Sequence, residues 1–362
     1  MNTNWDLRIS DEHEDPTWDE FVASVPGGHH VQTSLWAKVK ACLGWEAFRI
    51  IVKQGGQIIG GAQVLLHPYP LVGSAGYVTK GPLLRQQDPE LAEYILLQLS
   101  KISRNRHVQL LAIQPPNDSH YMTGLLEKQG FRLSTLELAP VASILIDVQP
   151  EPEEILGQMK RQTRQNIRRS IREGVTFREG TLADLHTFYD LHISSSQRQH
   201  FLPYPFHYFE TMGQVLEPHG YFKLLLTEYE GQAVSAFLLV PFHDTVIAKI
   251  LGWSGMHREH RPNEALAWGA ILWAKENGYR YFDFEGIDQD AAQYLLNGES
   301  LPESMHSSPN FFKYGFGGKI VLYPPAYDYL FSPPLRWIYN RIPLKVATQS
   351  MTSKVLDRLR KR

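Results

Sequence analysis

Two stretches of the chain share one pattern: residues 48–66 read FRIIVKQGGQIIGGAQVLL, and residues 222–240 read FKLLLTEYEGQAVSAFLLV. Each consists of an apolar run, a short polar turn containing Gly-Gln, and a second apolar run. Apolar runs of this length on both sides of a short glycine-containing turn predict a β-hairpin. The sequence therefore predicts the same hairpin twice, about half a chain length apart.

The segments that follow the two hairpins also correspond. After the first, the patterns predict a strand around Tyr77, a helix over 89–103, a strand over 108–113 and a helix over 121–129 that ends at Gly130. After the second, they predict a strand over 246–251, a helix over 263–277 that ends at Gly278, and a strand over 281–284. A hairpin followed by alternating helix and strand predicts a mixed sheet with flanking helices, so the fold class is α/β (α+β), built by tandem duplication.

The prolines of residues 148–154, VQPEPEE, block regular structure and mark the boundary between the two repeats. We predict a first domain over residues 1–150, a second domain over 151–332 and a basic tail over 333–362. One amphipathic helix is expected to open the second domain and to end at Gly174, since apolar residues recur there at helical spacing: Ile155, Met159, Ile167 and Ile171.

Composition narrows the possible functions. The chain has 362 residues, 43% hydrophobic, with 36 Lys and Arg against 38 Asp and Glu. This balance excludes a disordered chain and a generally basic nucleic-acid binder. The one cysteine, Cys42, excludes an internal disulfide and a cysteine-based metal site and favours a reducing cytoplasm. No apolar run reaches the roughly 18 residues of a membrane-spanning helix, and the histidines show no metal-ligand spacing, so no metal site is predicted.

The near-neutral total conceals a segregation of charge. Residues 6–20 carry seven acidic groups and one basic group, whereas residues 160–172 carry six basic groups and no acidic one. Residues 336–362 carry eight basic groups and one acidic group. Local cationic surfaces on a neutral protein suit specific anionic partners, although a solvated helix face is an equally simple interpretation. The tail has the pattern of a basic amphipathic helix, which fits either an anionic membrane surface or solvent.

Six sequence blocks carry a resemblance to a known family: VQTSLWAKVK (31–40), YVTKGPL (77–83), LLAIQPP (110–116), MKRQTRQNIRRSIREGV (159–175), ALAWGAILWAKENGYRYFDFEGI (265–287) and FFKYGFGG (311–318). In this order they resemble the FemABX family of peptidyltransferases, which build peptidoglycan interpeptide bridges from aminoacyl-tRNA. The resemblance covers roughly residues 30–330. It implies two tandem acyltransferase domains of the GNAT type, in the compact form that lacks a long helical arm.

The resemblance implies attack by an amine of a peptidoglycan precursor, UDP-linked or lipid-linked, on the ester carbonyl of an aminoacyl-tRNA. Because that ester is already activated, neither ATP, a metal nor any other cofactor is expected. The site must position the reactants, provide a route for the ammonium proton and stabilise the developing oxyanion. The implied location is cytoplasmic, with peripheral contact at the inner face of the membrane.

Several residues match family positions. Lys313, in FFKYGFGG, matches a lysine that stabilises the oxyanion or holds the tRNA end. Lys38 matches a lysine that contacts the precursor diphosphate, and the neighbouring Lys40 shares that expected role. Tyr208 matches a substrate-binding tyrosine. An alternative for each is structural: a snorkelling lysine, a helix-surface lysine or a core aromatic residue.

Two positions depart from the family. Tyr204 stands where compact members carry a phosphate-binding arginine, and Gln114 stands in the substrate site where they carry an aspartate proposed as general base. Glutamine has no useful basicity, so Asp283 and Glu285, at the end of a predicted strand, become the candidate bases. Asp283 is equally suited to structural hydrogen bonding.

The basic helix completes the predicted site, with cations expected on tRNA or substrate phosphates: Lys160, Arg161, Arg164, Arg168 and Arg169. Neither 254–266 nor 80–91 contains the glycine-rich loop that holds the pyrophosphate of CoA, which disfavours that donor. Two alternatives remain: an N-acyltransferase that uses another donor on a cell-envelope precursor, and a non-catalytic relative that binds RNA or membrane.

Overall fold

The computed structural model describes residues 4–69, 73–135, 137–306 and 308–339, and it divides into two compact units. Unit 1 comprises Met1–Ala139 and Tyr323–Arg362, and unit 2 comprises Pro140–Leu322. Residues 340–362, which make up most of the predicted basic tail, lie outside the described residues. Among the described residues, no helix combines the length and the apolar character needed to cross a bilayer.

The strands, in chain order, are β1 Asp6–Ser10, β2 Glu46–Gln54, β3 Gln57–Tyr69, β4 Gly73–Thr79, β5 Leu83–Leu84, β6 Val108–Gln114, β7 Arg132–Leu133, β8 Ala142–Asp147, β9 Thr176–Gly180, β10 Lys223–Tyr229, β11 Gln232–Phe242, β12 Thr245–Trp253, β13 Tyr281–Asp283, β14 Lys319–Leu322 and β15 Tyr327–Leu330. The α-helices are α1 Pro16–Ser24, α2 Ser34–Ala41, α3 Pro89–Asn105, α4 Tyr121–Lys128, α5 Pro152–Gln158, α6 Arg161–Arg172, α7 Leu185–Gln199, α8 Phe206–Leu216, α9 Pro262–Glu276, α10 Gln289–Leu296, α11 Pro309–Tyr314 and α12 Pro333–Tyr339.

Both predicted hairpins are present, as β2–β3 in unit 1 and β10–β11 in unit 2. Each turns at a glycine with positive φ, 82° at Gly56 and 76° at Gly231, which a residue without Cβ adopts at little cost. Each also carries a register shift shortly before the turn, after Val52 and after Thr227. These matching irregularities confirm that the two hairpins are copies of one motif.

The two sheets share one topology. In unit 1 the strand order is β1-β2-β3-β4-β6-β15-β7, with β5 paired to β3, and in unit 2 it is β9-β10-β11-β12-β13-β8-β14. Among the described strands, each of these orders contains one parallel pair. It is β4–β6 in unit 1, connected by α3, and β12–β13 in unit 2, connected by α9. The predicted mixed sheets with flanking helices are confirmed. In the described part of 175–330 the longest helices, α7 and α9, have 15 residues each, so it contains no long helical arm.

The division of the chain differs from the predicted boundary at 148–154. β8, which precedes those prolines, pairs with β13 and β14 in the sheet of unit 2. β15, which follows unit 2 in sequence, pairs with β6 and β7 in the sheet of unit 1. The edges of β6 and β13 each need a hydrogen-bonding partner. In unit 1 that partner is β15, which follows unit 2 in sequence, and in unit 2 it is β8, the first strand of that unit's own segment.

The prediction of one continuous helix at the start of the second domain is wrong, because the structure has two short helices there. α5 and α6 are separated by Met159 and Lys160, whose ψ angles of 156° and 145° are extended. Three of the four predicted apolar residues are buried in the core of unit 2, namely Ile155, Met159 and Ile167, whereas Ile171 is 58% exposed. The break lets both short helices direct apolar side chains to one core.

Gln114, at the end of β6, is fully buried and holds the two points at which the chain leaves and re-enters unit 1. Its Nε2 donates to the carbonyl of Ala139 at 3.2 Å and to that of Pro324 at 3.1 Å. Both partners are acceptors, so this position requires a side chain with two N–H groups. An aspartate or glutamate here would direct a carboxylate at two carbonyls.

We expect Gln114→Glu to lower the free energy of unfolding by at least about 3 kcal/mol at neutral pH, because it buries an unpaired charge and removes two donors. The loss should shrink as pH falls, since a protonated carboxyl donates one hydrogen bond. Urea unfolding of the whole chain measures both effects. Gln109→Glu, on the same strand but solvent-accessible, is the matched control, and equal stability of the two variants would contradict this role.

Candidate active site at the carboxyl end of strand β13

Two carboxylates and two lysines converge where β13 ends in unit 2. Asp283 is the last residue of β13, and Glu285 lies in the turn that follows. Lys249 comes from the neighbouring parallel strand β12, and Lys313 comes from α11. Ligands of open α/β sheets collect at this end of parallel strands, so these four residues form a candidate site.

Asp283 organises the turn after β13. Its carboxylate accepts hydrogen bonds from the Ser143 hydroxyl on β8 and from the backbone N–H of Glu285 at 2.8 Å. The Ser143 hydroxyl oxygen in turn accepts from the backbone N–H of Gly286 at 3.1 Å. These contacts tie β8 to the turn, which is the structural role that the sequence left open for Asp283.

Glu285 is the second carboxylate of the turn and adopts a left-handed backbone conformation, with φ 44°. A residue with a Cβ pays for this conformation, and such residues cluster at functional sites. Its side chain is 16% exposed and forms an ion pair with the Nζ of Lys249. Burial raises the pKa of Glu285, against the opposing effect of the nearby Lys249 charge. A carboxylate with a raised pKa beside a lysine is a candidate proton acceptor.

Sequence reasoning missed Lys249. It lies in TVIAKILGW, residues 245–253, as the one charged residue of an apolar strand. A lysine in such a run is costly to bury without a partner, and this was the available signal. Only the parallel pairing of β12 with β13 identifies Glu285 as that partner, because it brings the two side chains to the same end of the sheet.

Lys313 is directed at the same turn. Its Nζ donates to the carbonyl of Gly286 at 2.6 Å and lies 3.4 Å from the carbonyl oxygen of Glu285. Burial lowers the pKa of Lys313, and the charges of Glu285, Asp283 and Asp288 oppose that shift. An ammonium fixed by carbonyl oxygens in a partly desolvated setting acts strongly on any negative charge formed beside it.

The helix that carries Lys313 is held at its first turn. The Ser308 hydroxyl caps α11 by accepting from the backbone N–H of Phe311 at 3.4 Å. Asn310 is 6% exposed, accepts from the backbone N–H of Asp288 at 3.1 Å and donates to the Asp288 carboxylate. These contacts fasten α11 to the segment after β13 and so set the position of the Lys313 ammonium.

The aromatic residues around Lys313 divide between core and surface. Phe316 is 1% exposed and packs against Phe284 with ring centroids 5.2 Å apart. Tyr314 and Phe311 lie beside Lys160, whose Nζ is 3.6 Å and 5.4 Å from their ring centroids. The structure thus brings the first cation of the predicted basic set to the Lys313 segment, where it makes cation–π contacts.

The remaining predicted cations, all on α6, fall into two groups. Arg164 donates to the backbone carbonyls of Met159 and Gly157 and so caps α5, while Arg169 pairs with Glu173 at 2.7 Å. Arg161 and Arg168 are exposed, and within the described part of the chain neither has an ion-pair partner. Of these four predicted arginines, Arg161 and Arg168 are therefore the two whose charge is available to an anionic ligand.

Two predicted tyrosines form a stacked pair in unit 2. The rings of Tyr204 and Tyr208 lie 4.4 Å apart at an interplanar angle of 25°. Tyr208 is 2% exposed and packs against Phe209, whereas Tyr204 is 43% exposed in the loop before α8. Of the two rings, Tyr204 offers a face to a ligand and Tyr208 supports it from the core.

The predicted residues of unit 1 are placed as follows. Lys38 is an exposed residue of α2 that pairs with Glu14, and the Nζ of Lys40 lies 5.0 Å from the ring centroid of Trp45. Gln114 is buried with its amide donated to two carbonyls. Lys38 and Lys40 therefore remain accessible for a substrate role, while the Gln114 amide is committed to the fold.

Comparisons with known proteins divide along the same two units. Residues 13–130 match the FemAB family, and residues 159–294 match the acetyltransferase (GNAT) domain. A "Lipid II:glycine glycyltransferase" of Staphylococcus aureus strain MRSA252 is 26% identical over 223 residues, covering 59% of this chain and 53% of that protein. The protein of the same name from strain COL gives the same identity and coverage. The chain thus spans about half the length of the curated relatives it matches.

Solved structures show the same fold. A crystal structure of FemX matches with a TM-score of 0.79 and 20% identity, over 92% of this chain and 99% of that one. A tandem GNAT protein from the clavulanic acid biosynthesis pathway matches with a TM-score of 0.55 and 10% identity, over 91% and 99%. A FemAB family match on unit 1, an acetyltransferase (GNAT) domain match on unit 2 and this tandem fold together support membership of the FemABX family.

Proposed function

We propose that the chain is an aminoacyltransferase that moves an amino acid from an aminoacyl-tRNA to an amine of a peptidoglycan precursor peptide. The observation that carries the proposal is the ammonium of Lys313, held by the carbonyl of Gly286 beside a half-buried Glu285–Lys249 pair. Matched relatives are named for glycyl transfer to lipid II, which supports an acyl transfer of the same class in this chain.

In the proposed reaction, each residue of the site has one role in acyl transfer to an amine. As the amine nitrogen attacks the ester carbonyl, its oxygen gains negative charge, which the Lys313 ammonium stabilises. The carbon–oxygen bond to the tRNA ribose then breaks, the ribose oxygen takes up the proton that the attacking nitrogen loses and leaves as a hydroxyl, and an amide remains. The substrate ammonium must lose one proton before its nitrogen can attack, and the proposed acceptor is Glu285, whose pKa is raised by burial. Lys249 holds the Glu285 carboxylate in position.

Two features support an aminoacyl-tRNA as the donor: the basic surface on α6 and the sequence of the loop before α9. Arg161 and Arg168 offer exposed cations on α6, the helix that follows Lys160, and the Nζ of Lys160 contacts the Tyr314 ring beside Lys313. Exposed guanidinium groups suit the phosphates of an RNA strand. The loop 254–261 has one glycine, Gly255, and lacks the glycine-rich sequence that cradles a CoA pyrophosphate.

The proposal is tested with purified chain, total tRNA charged with one labelled amino acid at a time, and UDP-linked or lipid-linked pentapeptide. We expect RNase-sensitive transfer, with glycine, alanine and serine tested first. Lys313→Met should lower kcat by about 100-fold or more with little change in melting temperature. Lys319→Met, at an exposed lysine six residues further on, should retain turnover.

Each contrary result has a defined meaning. Transfer that survives RNase would support the alternative of an N-acyltransferase with another donor. Absence of transfer from every charged tRNA would contradict the proposed reaction. A Lys313→Met variant with turnover near that of Lys319→Met would contradict the role of Lys313 alone.

The lowered pKa of Lys313 predicts an alkaline limit on activity. The charged ammonium is the active form, so kcat/KM should fall as pH rises through a pKa that lies below the ordinary lysine value of 10.5. Lys313→Arg should move this limit upward, because a guanidinium keeps its proton throughout the range. Initial rates corrected for spontaneous deacylation of the tRNA measure it, and an unmoved limit would assign the titration to another group.

The basic surface on α6 predicts a salt-dependent effect on tRNA binding. Arg161→Ala combined with Arg168→Ala should raise the KM for aminoacyl-tRNA and reduce the slope of log affinity against log salt by about 1 to 2. The matched control is Arg8→Ala with Arg106→Ala, two arginines of unit 1 that pair with Glu12 and Asp11. An equal effect of both pairs would show that α6 has no special part in RNA binding.

A further inference from the structure

A cluster of metal-ligating side chains lies in the loop between β12 and α9. His257, Glu259 and His260 each offer one ligand atom, and these atoms all lie within 4.8 Å of one another. The two histidines are half-buried, and Glu259 is exposed to solvent. The cluster shares no residue with the site formed by Lys249, Glu285 and Lys313.

His260 is held in the orientation that a metal ligand needs. Its Nδ1 is hydrogen-bonded to the carboxylate of Glu173 at 2.8 Å, and its Nε2 lies 3.6 Å from the carboxylate of Glu259. Imidazoles that bind metals through one nitrogen commonly bond a carboxylate through the other, which sets the tautomer and raises ligand basicity. Glu173 is itself fixed by Arg169 at 2.7 Å, so this second carboxylate is anchored to α6.

Tyr229, at the end of β10, supports both imidazoles. Its ring is stacked on His260 with centroids 4.3 Å apart and an interplanar angle of 19°, and it lies 4.8 Å from the His257 ring. Side chains ordered by a shared aromatic ring lose less entropy when they take up a ligand. The cluster is therefore arranged before any cation binds.

The backbone around the cluster is strained on both sides. His257 and Arg261 each have φ 56°, a left-handed conformation that is unfavourable for residues with a Cβ. Between them lies a single turn, closed by a hydrogen bond from the His260 N–H to the His257 carbonyl at 3.0 Å. This turn brings His257 and His260 to the same side, and strain of this kind is retained where a function depends on it.

We propose that His257, Glu259 and His260 bind one divalent cation of the zinc type, with Glu173 as a positioning residue. Two imidazoles and one carboxylate are a donor set that suits Zn²⁺ with an open position for water, whereas Mg²⁺ and Ca²⁺ prefer oxygen ligands throughout. The bound cation would tie the loop before α9 to the end of α6 through Glu173. The histidine spacing predicted no such site, because it becomes one only through the left-handed turn.

The test uses the untagged full-length chain after removal of metals by a chelator. Titration calorimetry should show one Zn²⁺ per chain, and His257→Ala, His260→Ala and Glu259→Gln should each weaken binding by about tenfold or more. His219→Ala and His243→Ala, at exposed histidines elsewhere in unit 2, should bind as the unchanged chain does. Circular dichroism shows which variants are folded, and Glu259→Gln, at an exposed side chain, remains informative if a histidine variant is not.

The absorption spectrum of bound Co²⁺ distinguishes a metal ligand from a residue that only stabilises the fold. Co²⁺ bound to this site should give visible absorption bands that disappear on addition of Zn²⁺ and are absent from the variant with both His257→Ala and His260→Ala. Glu173→Gln should alter the bands and weaken affinity by about 10- to 100-fold while leaving the site formed. No Zn²⁺ binding by the unchanged chain, or equal binding by Glu259→Gln and the folded histidine variants, would overturn the proposal.

Discussion

The ammonium of Lys313 meets the carbonyl oxygens of Glu285 and Gly286, and this contact joins two parts of unit 2 that are distant in sequence. It requires the turn after β13 to direct its carbonyl groups toward α11, which the left-handed φ at Glu285 and the φ of 99° at Gly286 achieve. A Cβ at Gly286 would lie 3.0 Å from the Pro140 side chain, a tight contact, so glycine is favoured there by space as well as by its positive φ. The remaining contacts of the site maintain this one arrangement.

The strands added beside β6 and β13 explain why a duplicated chain gives two complete sheets. β6 and β13 each end a continuous run of the repeated motif with one edge unpaired, and unpaired edges are unfavourable in isolation. β15 supplies the partner in unit 1 and β8 the partner in unit 2. Gln114 secures this arrangement in unit 1, since its amide bonds to both Ala139 and Pro324. The departure from the family at this position therefore has a structural explanation within this chain.

Most residues of the candidate site could be predicted from the sequence, but their different roles could not. Lys313 and the two carboxylates were identified from a motif and from their place at the end of a strand. The structure shows Asp283 in a hydrogen-bonding role and Glu285 with Lys249 in the half-buried pair. Sequence alone does not separate the two carboxylates, because their difference arises from burial and from partners contributed by β8 and β12. The same reason separates the arginines of α6 that bond within the chain, Arg164 and Arg169, from those whose charge is exposed.

Local physics explains what the sequence by itself determined: the two hairpins, the principal helices and the mixed α/β class all follow from apolar periodicity and from glycine and proline at turns. The tertiary structure decided which strand completes each sheet, where the two units begin and end, and which of the charged residues meet. These outcomes depend on pairing between segments far apart in the chain and on the desolvation that packing imposes. Long-range pairing and desolvation cannot be read from the spacing of neighbouring residues. The hairpins could therefore be predicted, whereas the partners of Lys313 and His260 could not.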